Sequence, residues 1–143
     1  MSQSAKKTIR SFLSTFFVCF ITTGIVFYLS RGVPLYGMPD SKDIAFVEVR
    51  DVRLSSESRR LTSPEDISNA RNVANLLNYW LGVVQDEEPV ISITYCLKNG
   101  ETVDVSASED MVFWIGKARK IRDGDMFINI VEGLFFMDMV YDN

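Results

Sequence analysis

The first apolar stretch of the chain is continuous. Phe12 to Leu29 reads FLSTFFVCFITTGIVFYL, eighteen residues with no charge and no polar face. At about 1.5 Å per residue, a helix of that length just crosses a hydrocarbon core of about 30 Å. A transmembrane anchor is therefore expected over 11–31, behind a short N-terminal piece, 1–10. Lys6, Lys7 and Arg10 precede the apolar run, and Arg31 and Lys42 follow it. The basic excess on the N-terminal side puts the N-terminus in the cytoplasm and the rest of the chain outside. A cleaved signal peptide is the competing reading. Its apolar region is normally about 7–15 residues and ends in small residues, whereas this one ends Val26-Phe27-Tyr28-Leu29. Residues 32–43 hold two prolines and two glycines and read as a short linker.

From residue 44 the pattern changes to that of a folded domain, 44–143. Ile44 to Arg50 alternates, with Phe46, Glu48 and Arg50 on one side and Val47 and Val49 on the other, as in a strand. A turn at 55–58 leads to a short returning strand over Arg59–Thr62. Ser63-Pro64-Glu65-Asp66 is a helix start, with a capping hydroxyl, proline at the first helical position and acids near the positive end of the dipole. Ile67, Ala70, Val73, Ala74, Leu77, Trp80 and Leu81 then recur at spacings of three and four. They predict an amphipathic helix of about five turns, ended by Gly82.

An acidic loop, 84–89, precedes a second alternating run, Val90–Leu97. Lys98-Asn99-Gly100-Glu101 is a hairpin signal, and Thr102–Ala107 is the return strand. Parity selects the turn. A two-residue Asn-Gly loop would set the apolar faces of the two strands on opposite sides. A three-residue loop pairs Tyr95 with Val103 and puts Ile91, Ile93, Val103, Val105 and Ala107 on one side. The expectation is a type I turn with Gly100 left-handed in a bulge. A second hairpin is expected from Met111–Ile115 and Ala118–Ile121, turned at Gly116-Lys117. Phe127, Ile130, Val131, Leu134 and Phe135 predict a C-terminal helix capped by Asp125, with a strand over Met126–Val131 as the alternative.

The fold class this order predicts is α+β: an N-terminal transmembrane helix, then a two-layer domain. Its antiparallel sheet of about five strands is packed by one long helix and a C-terminal helix. Leu77, Trp80, Ile93, Tyr95 and Phe127 are the expected core.

Composition narrows the chemistry. Beyond Arg31 lie eleven basic and nineteen acidic residues, so the domain carries −8 against −4 for the whole chain. That sign disfavours nucleic acid as a partner. The chain has no histidine, which removes the usual general base and the commonest metal ligand. Cys19 lies in the anchor and Cys96 in the domain, so no disulfide within the domain is expected. Cys96 has no histidine to activate it and reads as a structural thiol. Asp86-Glu87-Glu88 and Asp123-Gly124-Asp125 lack the oxygen spacing of a calcium loop and read as solvated turns. The glycines are isolated, so no phosphate-cradling loop is formed. No catalytic residue, metal site or cofactor is expected.

Two surfaces suggest a partner instead. Asn69, Asn72, Asn75 and Asn78 recur three apart on the predicted helix, where a solvated face is the simpler reading, and Asn72 and Asn75 are the candidates for a polar partner. Val112-Phe113-Trp114-Ile115-Gly116-Lys117 is the densest aromatic patch, beside Arg119, Lys120 and Arg122. Trp114 and Arg119 are its candidates for partner binding, against the simpler reading that Phe113 or Trp114 fills the core.

The layout as a whole resembles small membrane-anchored extracytoplasmic proteins of unknown function in Gram-positive bacteria. The resemblance rests on the charged N-terminus, the single span and the Pro-Asp linker. It extends through Asp43-Ile44, Ser63-Pro64-Glu65-Asp66-Ile67, Ile93-Thr94-Tyr95, Lys98-Asn99-Gly100 and Trp114-Ile115-Gly116-Lys117, within 12–136. It implies a bacterial membrane setting and brings no catalytic residues. The leading expectation is a non-enzymatic extracytoplasmic module, accessory or sensory, that binds a protein partner or envelope ligand at the membrane. The alternatives are a carboxylate-based envelope hydrolase and an immunity or inhibitor protein.

Overall fold

The structure, a computed structural model, describes residues 3–55, 57–82, 84 and 87–137, with side chains from residue 8 onward. The chain divides after Val33 into two compact units. The first is a helix, Gln3–Arg31 (α1). Its segment Thr8–Arg31 is long and apolar enough to cross a membrane, and none of it is buried. The uncharged run lets the helix form without interruption. Ser and Thr within it turn their hydroxyls back on the helix, as Thr22 does to the Val18 carbonyl at 2.8 Å.

The second unit is built on one sheet. The strands are β1 (Val33–Pro34, at the division itself), β2 (Ile44–Asp51), β3 (Arg59–Leu61), β4 (Asn78–Trp80), β5 (Ile91–Leu97), β6 (Thr102–Ala107), β7 (Met111–Trp114) and β8 (Lys117–Ile121). The spatial order is β1-β4-β8-β7-β6-β5-β2-β3. Two helices, Pro64–Ala74 (α2) and Gly124–Phe135 (α3), complete the α+β architecture. The sheet thus has eight strands where about five were expected. The two missed strands, β1 and β4, are two and three residues long, too short to show a period.

Register separates the two faces. Val49, Ile93, Val105 and Trp114 pair in succession across β2, β5, β6 and β7, so they share one face. These residues are buried together with Ala70 and Ala74 of α2 and Phe127, Ile128 and Val131 of α3. On the other face Glu48, Thr94 and Asp104 pair in succession, with Thr94 Oγ1 donating to Asp104 at 2.6 Å. The parity argument for the first hairpin holds: Tyr95 pairs with Val103, the Leu97 amide donates to the Glu101 carbonyl, and Gly100 has φ 90°. Tyr95 is fully buried, and its hydroxyl donates to the Ala70 carbonyl at 2.8 Å, tying sheet to helix.

Five expectations need correction. The long helix ends at Ala74, not at Gly82. Its start is as predicted, with the Ser63 hydroxyl accepting from the Asp66 amide at 3.1 Å. Asn75 caps the end, and asparagine competes for backbone hydrogen bonds in helix interiors. The following residues serve the sheet instead, Tyr79 pairing with Ile121 and Trp80 with Lys120. Strand β4 thereby covers backbone groups that β8 would otherwise leave unpaired. Leu77 is fully buried as predicted, but Trp80 pairs with Lys120 on the polar face and is only half-buried. The apparent helical period ran across a strand by coincidence of spacing.

The second hairpin turns one residue early, at Ile115-Gly116, with both residues at positive φ. The last helix is capped at Asp123 and not Asp125, and the strand alternative is excluded. Gly124 sits where a Cβ would collide with the Ser108 and Glu109 carbonyl oxygens, so this close approach requires glycine. Finally, residues read as a linker are fastened to the domain. Leu35 is buried, Met38 packs on the core, the Tyr36 carbonyl accepts from Trp114 Nε1 at 3.1 Å, and the Pro39 carbonyl accepts from Arg71 Nε at 2.8 Å.

Candidate functional site

Strand β8 concentrates positive charge in an acidic domain. Residues 111–122 contain Lys117, Arg119, Lys120 and Arg122 and no acid. Among the described residues, none of the four forms an ion pair with a carboxylate. Two of them lie over aromatic rings supplied by β4: Arg119 over Tyr79 at 4.3 Å and Arg122 over Trp80 at 4.6 Å. The planar guanidinium suits this stacking. Lys117 and Lys120 remain exposed, the first beside the turn and the second opposite Met111.

The turn itself is apolar. Ile115 is 70% exposed and Phe113 44%. Phe113 and Ile115 border, with Thr102, Asp104 and Gly116, a shallow groove of about 330 Å³. Trp114 is only 3% exposed and belongs to the core, so its indole is a positioning group for the turn and not a contact surface. Alternation explains this: Trp114 shares the covered face with Val105, which leaves Phe113 on the open one.

The sequence candidates are therefore distributed. Trp114 and Arg119 lie on the same hairpin, with Trp114 buried and Arg119 half-buried. Asn72 and Asn75 are exposed on α2, in the helical layer, and Asn75 is the helix C-cap. The row of four asparagines is not one surface, because Asn78 belongs to β4. Sequence reasoning chose Trp114 where the exposed residue is Ile115. The parity of β7, which sends Val112 and Trp114 to the same covered face, carries this signal.

The other chemistry-bearing groups have structural surroundings. Cys96 lies half-buried on the open face, where partial burial, then the Glu48 and Asp104 carboxylates, push its thiol up, with Arg60 only partly offsetting them. A thiol so placed is a poor nucleophile near neutral pH. Glu87 accepts from the Ser108 hydroxyl at 2.9 Å, while its neighbour Asp86 lies outside the described residues. Asp123 and Asp125 stand at the start of α3. Asp51 is fully buried at the end of β2, and its Oδ1 accepts from the Arg53 amide at 2.8 Å, closing a turn. Among the described residues, no group of three or more acids and cysteines is arranged to hold a metal ion.

Compared with protein-family models, curated proteins and solved structures, the chain shows no match.

Proposed function

We propose that the chain is a single-pass membrane protein whose acidic α+β domain is a non-enzymatic binding module. In this reading α1 is an uncleaved anchor, the N-terminus is cytoplasmic, and the domain lies on the outer side. There it serves a protein partner or envelope ligand, as an accessory or sensory unit. The resemblance to small anchored proteins of Gram-positive bacteria suggests the setting.

One observation carries the proposal. From Thr8 to Arg31 every residue of α1 is exposed, including Phe12, Phe16, Phe17 and Phe20 at 65–73%. An apolar helix of this length left bare in water is costly, and a bilayer is the solvent that suits it. The domain supports the second half of the reading. It has a continuous core and, at β8, basic residues that form no ion pair among the described residues, with Arg119 and the exposed Asn72 and Asn75 as partner-binding candidates.

The test uses the full-length chain. Extracted in mild detergent, it should bring down a stoichiometric membrane partner, and a homogeneous monomer with measurable turnover would sink the proposal. Orientation is read separately. Protease added to intact spheroplasts should remove the domain, and full protection would reverse the topology.

A further inference from the structure

The β7–β8 turn holds an apolar residue at a cost to the domain. Ile115 has φ 49°, in the left-handed region, where a β-branched side chain is strained. Two-residue turns of this kind favour Asn, Asp or Gly at that position. Burial does not offset the strain, because the side chain is 70% exposed. A strained residue that gains no packing is a reason to look for a contact made outside the domain.

The rest of the groove at Ile115 defines the chemistry of that contact. Val105 pairs with Trp114 on the covered face, so Asp104 and Phe113 stand on the open one and border the groove with Ile115. The Asp104 carboxylate accepts from Thr94 Oγ1 at 2.6 Å. Most of its acceptor sites are left over, and among the described residues it forms no ion pair. The neighbouring cations are directed elsewhere. Lys117 pairs with Trp114 and shares its face, opposite to Asp104, and Lys120 pairs with Met111 at the far end of the hairpin. Lys98 donates to the Lys42 carbonyl, and Arg60 lies over the Phe46 ring at 3.5 Å. Arg50 is two strands from β6, about 10 Å by strand spacing, where exposed charges are largely screened. Cys96, on the same face, registers the sign of the local field. After partial burial, the Glu48 and Asp104 carboxylates push its thiol up against the opposing Arg60.

The groove is shallow, and its 330 Å³ is at the low end for small-molecule pockets of about 300–1,000 Å³. It suits one projecting side chain of a larger partner. Phe113, 44% exposed, offers a ring on which a guanidinium stacks.

We infer that this groove receives an arginine of a basic protein partner: the guanidinium pairs with Asp104 against the Phe113 ring, and apolar residues beside that arginine cover Ile115. A charge-assisted pair flanked by apolar contact gives both affinity and register. The charge of −8 beyond Arg31 steers a basic partner toward the domain. The inference rests on the reading of the domain as a binding module. It names the partner's chemistry and puts the contact on the open face of the sheet, away from the basic residues of β8.

The test uses the full chain in mild non-ionic detergent, with isotope-labelled isoleucine methyls. The probes are three capped peptides, Gly-Leu-Xaa-Leu-Gly, with arginine, glutamine or glutamate in the middle. The arginine peptide should shift the Ile115 methyl and leave that of the buried Ile93 in place. The glutamine peptide should bind about fivefold more weakly, and the glutamate peptide more weakly still. Asp104→Asn should weaken the arginine peptide about fivefold and Phe113→Ala about threefold, with the core methyls unmoved in both variants. Equal binding of the arginine and glutamine peptides overturns the pairing with Asp104. A preference for the glutamate peptide overturns it in favour of an acidic partner at β8. An Ile115 methyl that shifts with protein concentration alone overturns it in favour of a second copy of the chain. A membrane partner that co-purifies equally well with Asp104→Asn overturns the groove and keeps the binding module. The absence of both a partner and a peptide shift overturns both.

Discussion

Trp114 and Tyr36 are joined by a hydrogen bond of 3.1 Å from the indole N–H to the main-chain carbonyl, across 78 positions of sequence. With Leu35 buried beside it, this bond makes the segment after α1 part of the domain and not a free tether. Trp114→Phe removes the bond and part of the buried indole. It should lower domain stability by about 1–2 kcal/mol. Denaturant unfolding of the full-length chain in mild detergent measures the loss. Limited proteolysis should show faster cutting in 34–40, and unchanged cutting there would mean that Leu35, Met38 and the Arg71 bond hold the segment without it.

Two glycines of α3 predict opposite outcomes. Gly124→Ala drives a methyl into the Ser108 and Glu109 carbonyls, both backbone atoms that cannot move aside cheaply. A loss of about 3 kcal/mol or more is expected. Around Gly133 nothing lies within 4 Å of the added methyl, and the residue is helical. Gly133→Ala should raise stability by about 0.5–1 kcal/mol. Thermal unfolding of the two variants side by side checks the sign of each.

Ile115→Asn should stabilise the domain by about 1 kcal/mol, since asparagine tolerates the left-handed turn and the isoleucine buries little. Thermal unfolding of the variant should show a higher melting temperature. A lower melting temperature would show that the side chain packs in the domain after all.

Tyr95 links stability to alkaline pH. Burial pushes its phenol well above the ordinary range, and the nearby Arg71 only partly counters this. The folded state therefore keeps the proton at pH values where the unfolded chain, with an ordinary phenol near 10, has lost it. The stabilisation is full below about pH 10 and declines above it by about 1.4 kcal/mol per pH unit from this group. Tyr95→Phe should cost about 1 kcal/mol at neutral pH, through the lost bond to Ala70, and should shallow the alkaline decline. Urea unfolding at pH 8, 10 and 11 measures both effects, and an unchanged slope would rule out Tyr95 as its source.

Local rules determined much of this protein. An uncharged run of eighteen residues is enough to make α1, because backbone groups are satisfied within a helix and nothing in the run interrupts it. Ser63 and Pro64 set the start of α2, and parity around Asn99-Gly100 set the register of β5 and β6, because side chains alternate strictly in a strand. The location of an aromatic-basic surface near residues 112–122 was legible too. Only the tertiary structure decided what lies where on that surface. Trp80 left the helical pattern because β8 needed a hydrogen-bonded neighbour, a demand made by strands far away in sequence. Trp114 went inward because it pairs with Val105 on the covered face, and Ile115 stands outward because it opens the turn. The segment 34–40 became part of the domain because Trp114 and Arg71, distant in sequence, offer donors to its carbonyls. Long-range pairing of backbone groups has no local signature, and it placed the exposed Ile115 beside Lys117 at the turn and Lys120 opposite Met111.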